Sequence, residues 1–441
     1  MNSNTPIAIQ PVPGGRRVPV PKPAAPAHDL RRRHHLLAPH RLGFFLAMSV
    51  LVFSGVWWAL VQLDRVSALL QLAPAVSPSL VHATVMTFGF IPLFFSGFLF
   101  TAGPKWLGVR ALEALQLRAP LVLQAAGWMV WVVGGHVHVV LAGAGLGSAL
   151  VGLGWMVVLF WRLILASTAE DRLHARVIGV AGVVGWLSLA GAGLALWLDA
   201  PALGRACVLT GLWGFVAVTY VTVAHRMIPF FTSSAVPMVA VWRPFWVLWA
   251  LLAATVLEVL AVWVDFSGGA TGEAGRLWMG LRGLLELAAG GVILWLAVAW
   301  GLVQSLKIRL LAMLHIGFVW LGLAFVLESA SQLLGLVPGA PVLGLGALHA
   351  LSMGCLASLM LAMVTRVSCG HSGRALVADH TVWVLFWALQ LATVLRIAGA
   401  VAGAPGGLIA AAALLWALVM AVWGARHGGW YGRRRLDGKP G

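Results

Sequence analysis

Charge is scarce in this chain: only 10% of its 441 residues are Asp, Glu, Lys or Arg, while 61% are hydrophobic. A soluble domain carries about a quarter charged residues, so no soluble fold hides this much apolar surface. A bilayer removes the need to hide it, because lipid solvates outward-facing Leu, Val and Phe. Cysteine is nearly missing too. Cys207, Cys355 and Cys369 stand apart with no paired spacing, which argues against a disulfide framework and a CxxC redox or zinc site. There is no phosphate-binding glycine loop and no Ser-His-Asp set, which argues against ATP-driven transport by this chain alone.

The basic residues that give the net charge of +16 form short clusters beside apolar segments. That is the pattern of membrane topology and not of nucleic-acid binding. Residues 1–42 are rich in Pro, Arg and His and read as a disordered cytoplasmic tail. They are no cleavable signal, since the basic stretch Arg31 to Arg41 precedes an apolar run longer than a signal-peptide core and lacks an A-x-A site.

At roughly 20 residues per crossing, apolar runs begin near Gly43, Leu80, Leu121, Ala144, Val177, Ala206, Phe245, Leu281, Leu310, Gly346, Thr381 and Gly406. They predict an all-α bundle of about twelve transmembrane helices over 43–425, followed by a basic cytoplasmic tail, 426–441. The Gly-rich LAGAGLG around Gly143 to Gly147 is taken as the break between the third and fourth spans. Lys and Arg concentrate in alternate connections, such as Lys105–Arg118, Arg162–Arg176 and Arg366–Arg374. This alternation puts both termini in the cytoplasm. The 23 Trp exceed what two interfacial belts need, so some are expected to line an interior cavity.

Ionisable groups inside a bilayer are costly and therefore informative. They sort into two layers. The outer one holds His82, His136, His138, Glu258, Arg282, Glu286, Glu328, His349 and Arg396; the inner one holds His225, Arg226, His315, Arg366, His371 and Arg374. His82 and His349 each open a pentad, HATVM and HALSM, on helices that run inward from the outer face. Two imidazoles at equal depth suit a metal or haem between them. Gly89, Phe88, Phe90, Phe94 and Phe95 are then available around the ring, and Arg396 or Arg282 for its propionates. The same pattern also fits interfacial imidazoles satisfied by backbone carbonyls. His136 and His138, two apart, point about 200° apart on a helix and read as structural.

The inner trio His225, His315 and His371 has the chemistry to hold copper or another late transition metal, although the positive-inside rule alone also places basic residues there. Glu258, Glu286 and Glu328 read as ion-pair partners or a proton path. Pro92 is expected to kink the second span.

Several stretches carry a family resemblance: HATVMTFGFIPLFFSGFLFTAGPKWLG (82–108), HRMIPFFT (225–232), LHIGFVW (314–320), HALSMGCLASLMLAMVTRVSCGHSGRAL (349–376) and LRIAG (395–399). They resemble the NnrS family. The resemblance implies a twelve-span protein of the bacterial inner membrane that contains haem, of b type, and copper, and that takes part in denitrification and the response to nitric oxide. His82, His315, His349 and His371 stand at the family's recurrent histidines, and Arg366, Arg374 and Arg396 at its recurrent arginines. The family's first motif usually reads His-Ala-His-Glu-Met. Here its third and fourth positions are Thr84 and Val85, so one imidazole and one carboxylate are missing, to be supplied by His136, His138 or a nearby Glu, or else lost with one cofactor.

The expected function is a haem-binding and copper-binding membrane protein that protects against nitrosative stress. Its partners are the lipid bilayer and nitric oxide or another diatomic ligand, with an unnamed electron donor if it turns the ligand over. The rival is a carrier of metal, haem or a small solute, the two pentads then being the trace of an internal repeat.

Overall fold

The computed structural model describes residues 32–438, apart from 238, 270 and 342. Twelve helices in it are long and apolar enough to cross a membrane: α1 (Pro39–Ser67), α2 (Pro78–Leu107), α3 (Ala114–Val137), α4 (Val139–Ala166), α5 (Leu173–Trp197), α6 (Pro201–Ala235), α7 (Phe245–Phe266), α8 (Gly272–Ala299), α9 (Arg309–Gly335), α10 (Gly346–Ser372), α11 (His380–Ala398) and α12 (Gly406–Tyr431). No strand occurs among the described residues. The protein is a multi-pass helical membrane protein.

The helices start at or before the apolar runs that announce them. α3 begins at Ala114 and not near Leu121, and α8 at Gly272 and not near Leu281, because polar first turns carrying Gln116 and Arg118, or Glu273 and Arg276, extend beyond the apolar stretch. A helix satisfies its own backbone there as well as in lipid.

The boundary between α3 and α4 lies elsewhere than expected. The glycines of LAGAGLG are inside α4, and the break is the single residue His138, whose extended backbone lets its imidazole accept the Val140 N–H at 3.2 Å. Two of those glycines, Gly143 and Gly145, serve contact, while Gly147 faces open space. A Cβ on Gly145 would stand 2.5 Å from the Trp131 nitrogen, and one on Gly127 2.5 Å from the Gly145 carbonyl oxygen. Small residues let membrane helices approach this closely.

Three helices form the centre: α2, α6 and α10 bury 78, 72 and 78% of their most apolar stretches, against 39% in α8 and α11. Each of the three is interrupted. α2 breaks at Gly89, between Pro78–Phe88 and Phe90–Leu107. Pro92 has no N–H for the Phe88 carbonyl and its ring crowds that carbonyl, and the break falls there. α6 and α10 each widen into a π-helical segment, Leu212–Ala217 and Ala350–Ala357. Such segments are rare and concentrate at functional sites.

The first and last described segments meet. His34 Nδ1 donates to the Gly432 carbonyl at 2.8 Å, and the buried Arg41 guanidinium donates to the carbonyls of Tyr431 and Arg433 at 3.3 and 2.8 Å. The start of α1 and the end of α12 therefore lie on one side of the bundle, as an even number of crossings requires. The tail boundaries shift accordingly. A 3-10 turn, Arg32–Leu36, and the start of α1 at Pro39 occupy the end of the expected 1–42 tail, and α12 runs on to Tyr431, which is buried and hydrogen-bonded to Ser368 at 2.6 Å. Residues 1–31 of that tail lie outside the described residues.

Candidate functional site

His82 sits one turn into α2 and His349 in the first turn of α10. Both belong to the central trio, and both precede an interruption of their helix. They are neighbours: His349, Arg396 and Arg65 are the charged or titratable groups that act on His82, and Arg396 acts on His349. A half-buried imidazole pair and a guanidinium from α11, each within electrostatic range of the others, thus lie at one end of the bundle.

Each member has spare bonding capacity. The His349 Nδ1–H donates to the Leu345 carbonyl at 2.9 Å, which leaves the Nε2 lone pair as the free one. His82 Nδ1 is buried with no hydrogen-bond partner, and so is Arg396 Nη1. Buried polar atoms are normally paired, so two orphans beside one another mark a place built for something more. The His82 ring is held flat against Trp58, with centroids 3.8 Å apart and planes 15° from parallel, and Arg65 covers the other part of the stack at 5.2 Å from the Trp58 ring. Trp58 and Arg65 escaped sequence reasoning, since nothing in α1 marks one tryptophan among 23.

The aromatic shell expected for this pair is not beside it. Phe88 packs into the space that Gly211 leaves on α6, where a Cβ would stand 2.0 Å from the ring. Phe94 and Phe95 line a separate apolar cavity of about 70 Å³ between α1, α2, α6, α9 and α10. They lie three turns beyond His82, roughly 18 Å along a helix. No tryptophan lines that cavity or the smaller one next to it; the fully buried Trp128, Trp131, Trp300 and Trp423 are packing residues, and many others face outward.

Arg282 is not available to a cofactor. Its Nε donates to Glu286 at 2.6 Å, Nη2 to Glu258 at 2.7 Å and Nη1 to Asp265 at 3.2 Å. The sequence could not show this, because the three carboxylates approach from two helices.

The inner imidazoles His225, His315 and His371 do not come together. Both nitrogens of His225 are engaged, with His174 Nε2 at 3.0 Å and the Pro244 carbonyl at 3.1 Å. His315 Nε2 meets Thr232 Oγ1 at 2.9 Å, and because that hydroxyl donates to the Ile228 carbonyl, the imidazole is the donor. Thr232 is two turns from His225, roughly 10 Å along α6. His371 stands against α1, its ring 4.3 Å from that of His40. Among the described residues no three His, Cys, Asp or Glu side chains group closely enough to hold a metal ion. The positive-inside pattern that places basic residues at inner helix ends does not make them converge. His136 and His138 hold the architecture: His136 Nε2 accepts from the Trp57 indole at 2.8 Å, and His138 caps α4. Arg366 and Arg374 lie over the rings of Phe231 and Trp430, each at 4.1 Å.

Fold and site together define a class: a helical membrane protein of twelve spans whose innermost, interrupted helices carry a half-buried histidine pair near an arginine with an unpartnered donor. The chain belongs to the NnrS family, whose model, described as NnrS protein, matches residues 35–435, nearly its whole length. No functionally curated protein and no solved structure matches the sequence.

Proposed function

We propose that the protein binds haem, of b type, between His82 and His349, and acts in the bacterial inner membrane, with both termini cytoplasmic, in the response to nitric oxide. One observation carries the reading: two imidazoles from two innermost helices lie within electrostatic range of each other at the same end of the bundle, with a free ring nitrogen on each side and a guanidinium with an unpartnered donor near them. The donor set suits an iron ring that bears carboxylates, since neutral imidazoles would hold the iron and arginine would pair with the carboxylates. When bound, the haem would supply a redox-active iron centre, open to a diatomic ligand where that ligand displaces one of the two imidazoles.

The chain's own residues supply orientation and charge. The Leu345 carbonyl fixes the tautomer of His349, a task that outer hydrogen bonds perform for metal-bound histidines generally. Trp58 fixes the plane of His82. Arg396, with Arg65 nearer the helix end, places positive charge where ring carboxylates have to be neutralised. The apolar cavity of about 70 Å³ lined by Phe94, Phe95, Tyr220 and Met363 suits a small uncharged molecule. For copper the geometry offers one imidazole pair and no trio among the described residues: His40 with His371, where His40 Nδ1 has no partner.

The visible spectrum of the purified protein in detergent or lipid tests the reading. A Soret band that shifts when nitric oxide is added to the reduced protein is expected. Colourless protein that takes up no added haemin contradicts it.

A further inference from the structure

A second polar cluster lies in α7, α8 and α9, apart from the histidine pair. Glu258 and Asp265 come from α7, Arg282 and Glu286 from α8, and Glu328 from α9. Arg282 is bonded to Glu286, Glu258 and Asp265 at 2.6, 2.7 and 3.2 Å. Glu258 and Glu286 are 1 and 0% exposed, while Asp265 remains about half exposed near the end of α7. Glu328, Glu258 and Arg282 act on Glu286, and Glu258, Arg282 and Asp265 act on Glu328. One guanidinium thus faces four carboxyl groups.

That charge balance does not survive in a low-dielectric setting if all four are ionised, because each uncompensated buried charge costs several kcal/mol. A second, independent observation says where the excess is relieved. Glu258 and Glu286, from two helices, both accept from the same Arg282 guanidinium, yet each keeps one buried oxygen, Oε1 and Oε2 respectively, without any donor. Two carboxylates cannot donate to one another. Two carboxyl groups that share one proton can, and the orphaned oxygens then gain a donor.

We propose that Glu258 and Glu286 form a membrane-embedded proton-binding site that holds one proton at neutral pH, with Arg282 compensating the one negative charge that this pair keeps. Proton uptake makes one O–H bond on one carboxylate, which then donates to the other. No electron is transferred and no other bond changes. Asp265, bonded to the same guanidinium and half open to the surface, is the side through which the proton enters and leaves. Glu328, on α9, sets the charge of the site without sharing the proton. A divalent metal is not the occupant this geometry favours, since no group of three suitable ligands converges there among the described residues.

Infrared spectroscopy of the full-length protein in phosphatidylcholine vesicles reads the site directly, without activity. At neutral pH the wild type is expected to show the carbonyl stretch of a protonated carboxyl group, displaced to lower frequency in heavy water. Both Glu258→Gln and Glu286→Gln are expected to abolish it, and Glu328→Gln to retain it. Absence of the band from the wild type at neutral pH overturns the proposal whether or not the variants fold. Its survival in both glutamine variants, its loss only in Glu328→Gln, or its removal by sodium ions at constant pH overturns it as well.

Discussion

The bundle carries two buried polar clusters that are opposites. Around Arg282, a guanidinium has every bonding edge occupied and carboxyl groups are in excess. Around Arg396, a guanidinium has a buried donor with no partner, and the groups beside it are imidazoles with no carboxylate to balance it. Burying polar groups is affordable only when they are paired. The first cluster has all three nitrogens of its cation engaged and stabilises the packing of α7 and α8; the second is open and, on the function proposed above, would be completed by a bound haem. Residue type alone would not tell the two arginines apart.

Breaking the first cluster is expected to have the larger effect on the fold. Arg282→Leu leaves Glu258 and Glu286 buried without their cation, and removing one partner of a buried pair costs about 3–5 kcal/mol. A fall in the thermal midpoint in detergent measures it, and a shift too small to resolve would mean that the cluster is not closed. Arg396→Gln is expected to leave the fold standing and to weaken haem binding by about 1.5–3 kcal/mol, roughly ten- to hundredfold, read by haemin titration. If Arg396→Gln unfolds the protein and Arg282→Leu does not, the contrast between the clusters is reversed.

Trp58→Ala sharpens the contrast at smaller scale. It removes a stacked ring worth about 0.5–1.5 kcal/mol beyond its burial and frees His82 to turn. A broadened or altered haem spectrum at near-normal haem content is expected, whereas an unchanged spectrum would show that Trp58 does not orient the ligand.

The smallest effect is expected outside the membrane, at Asp379, the N-cap of α11. Its carboxylate accepts the Val382 N–H at 3.1 Å and pairs with Arg426 of α12. Burial pushes this carboxyl up, but the Val382 N–H and Arg426 outweigh it and hold it below its ordinary 3.8. A depressed folded value means that the stabilisation is present above the unfolded value and is lost as pH falls below about 4. Asp379→Ala is expected to cost about 0.5–2 kcal/mol as a lost cap. Asp379→Asn is expected to keep the cap and flatten this acid limb of the stability profile, so an unchanged limb would place the acid sensitivity elsewhere.

The fold was legible where lipid dictates it. Twelve apolar runs announced twelve helices, and the break in α2 falls at the carbonyl that Pro92 cannot serve. The glycines of LAGAGLG misled because glycine marks a loop in water and a close helix contact in lipid, while a histidine cap made the real break. That His82 and His349 lie near the starts of their helices was readable from two pentads, since position along a span follows sequence position. Lateral position does not. Depth alone therefore could not foresee that His371 pairs with His40, that His225 pairs with His174, that the phenylalanines of α2 line another cavity, or that Arg282 is taken by three carboxylates.

The central claim is that residues 82 and 349 hold one haem between them. The haem content of the purified wild type measured beside His82→Ala and His349→Ala, with all three folded by the same thermal criterion, tests it most directly. The account predicts one haem per chain in the wild type and loss of most of it in each single variant. Full retention of haem by both variants would contradict it.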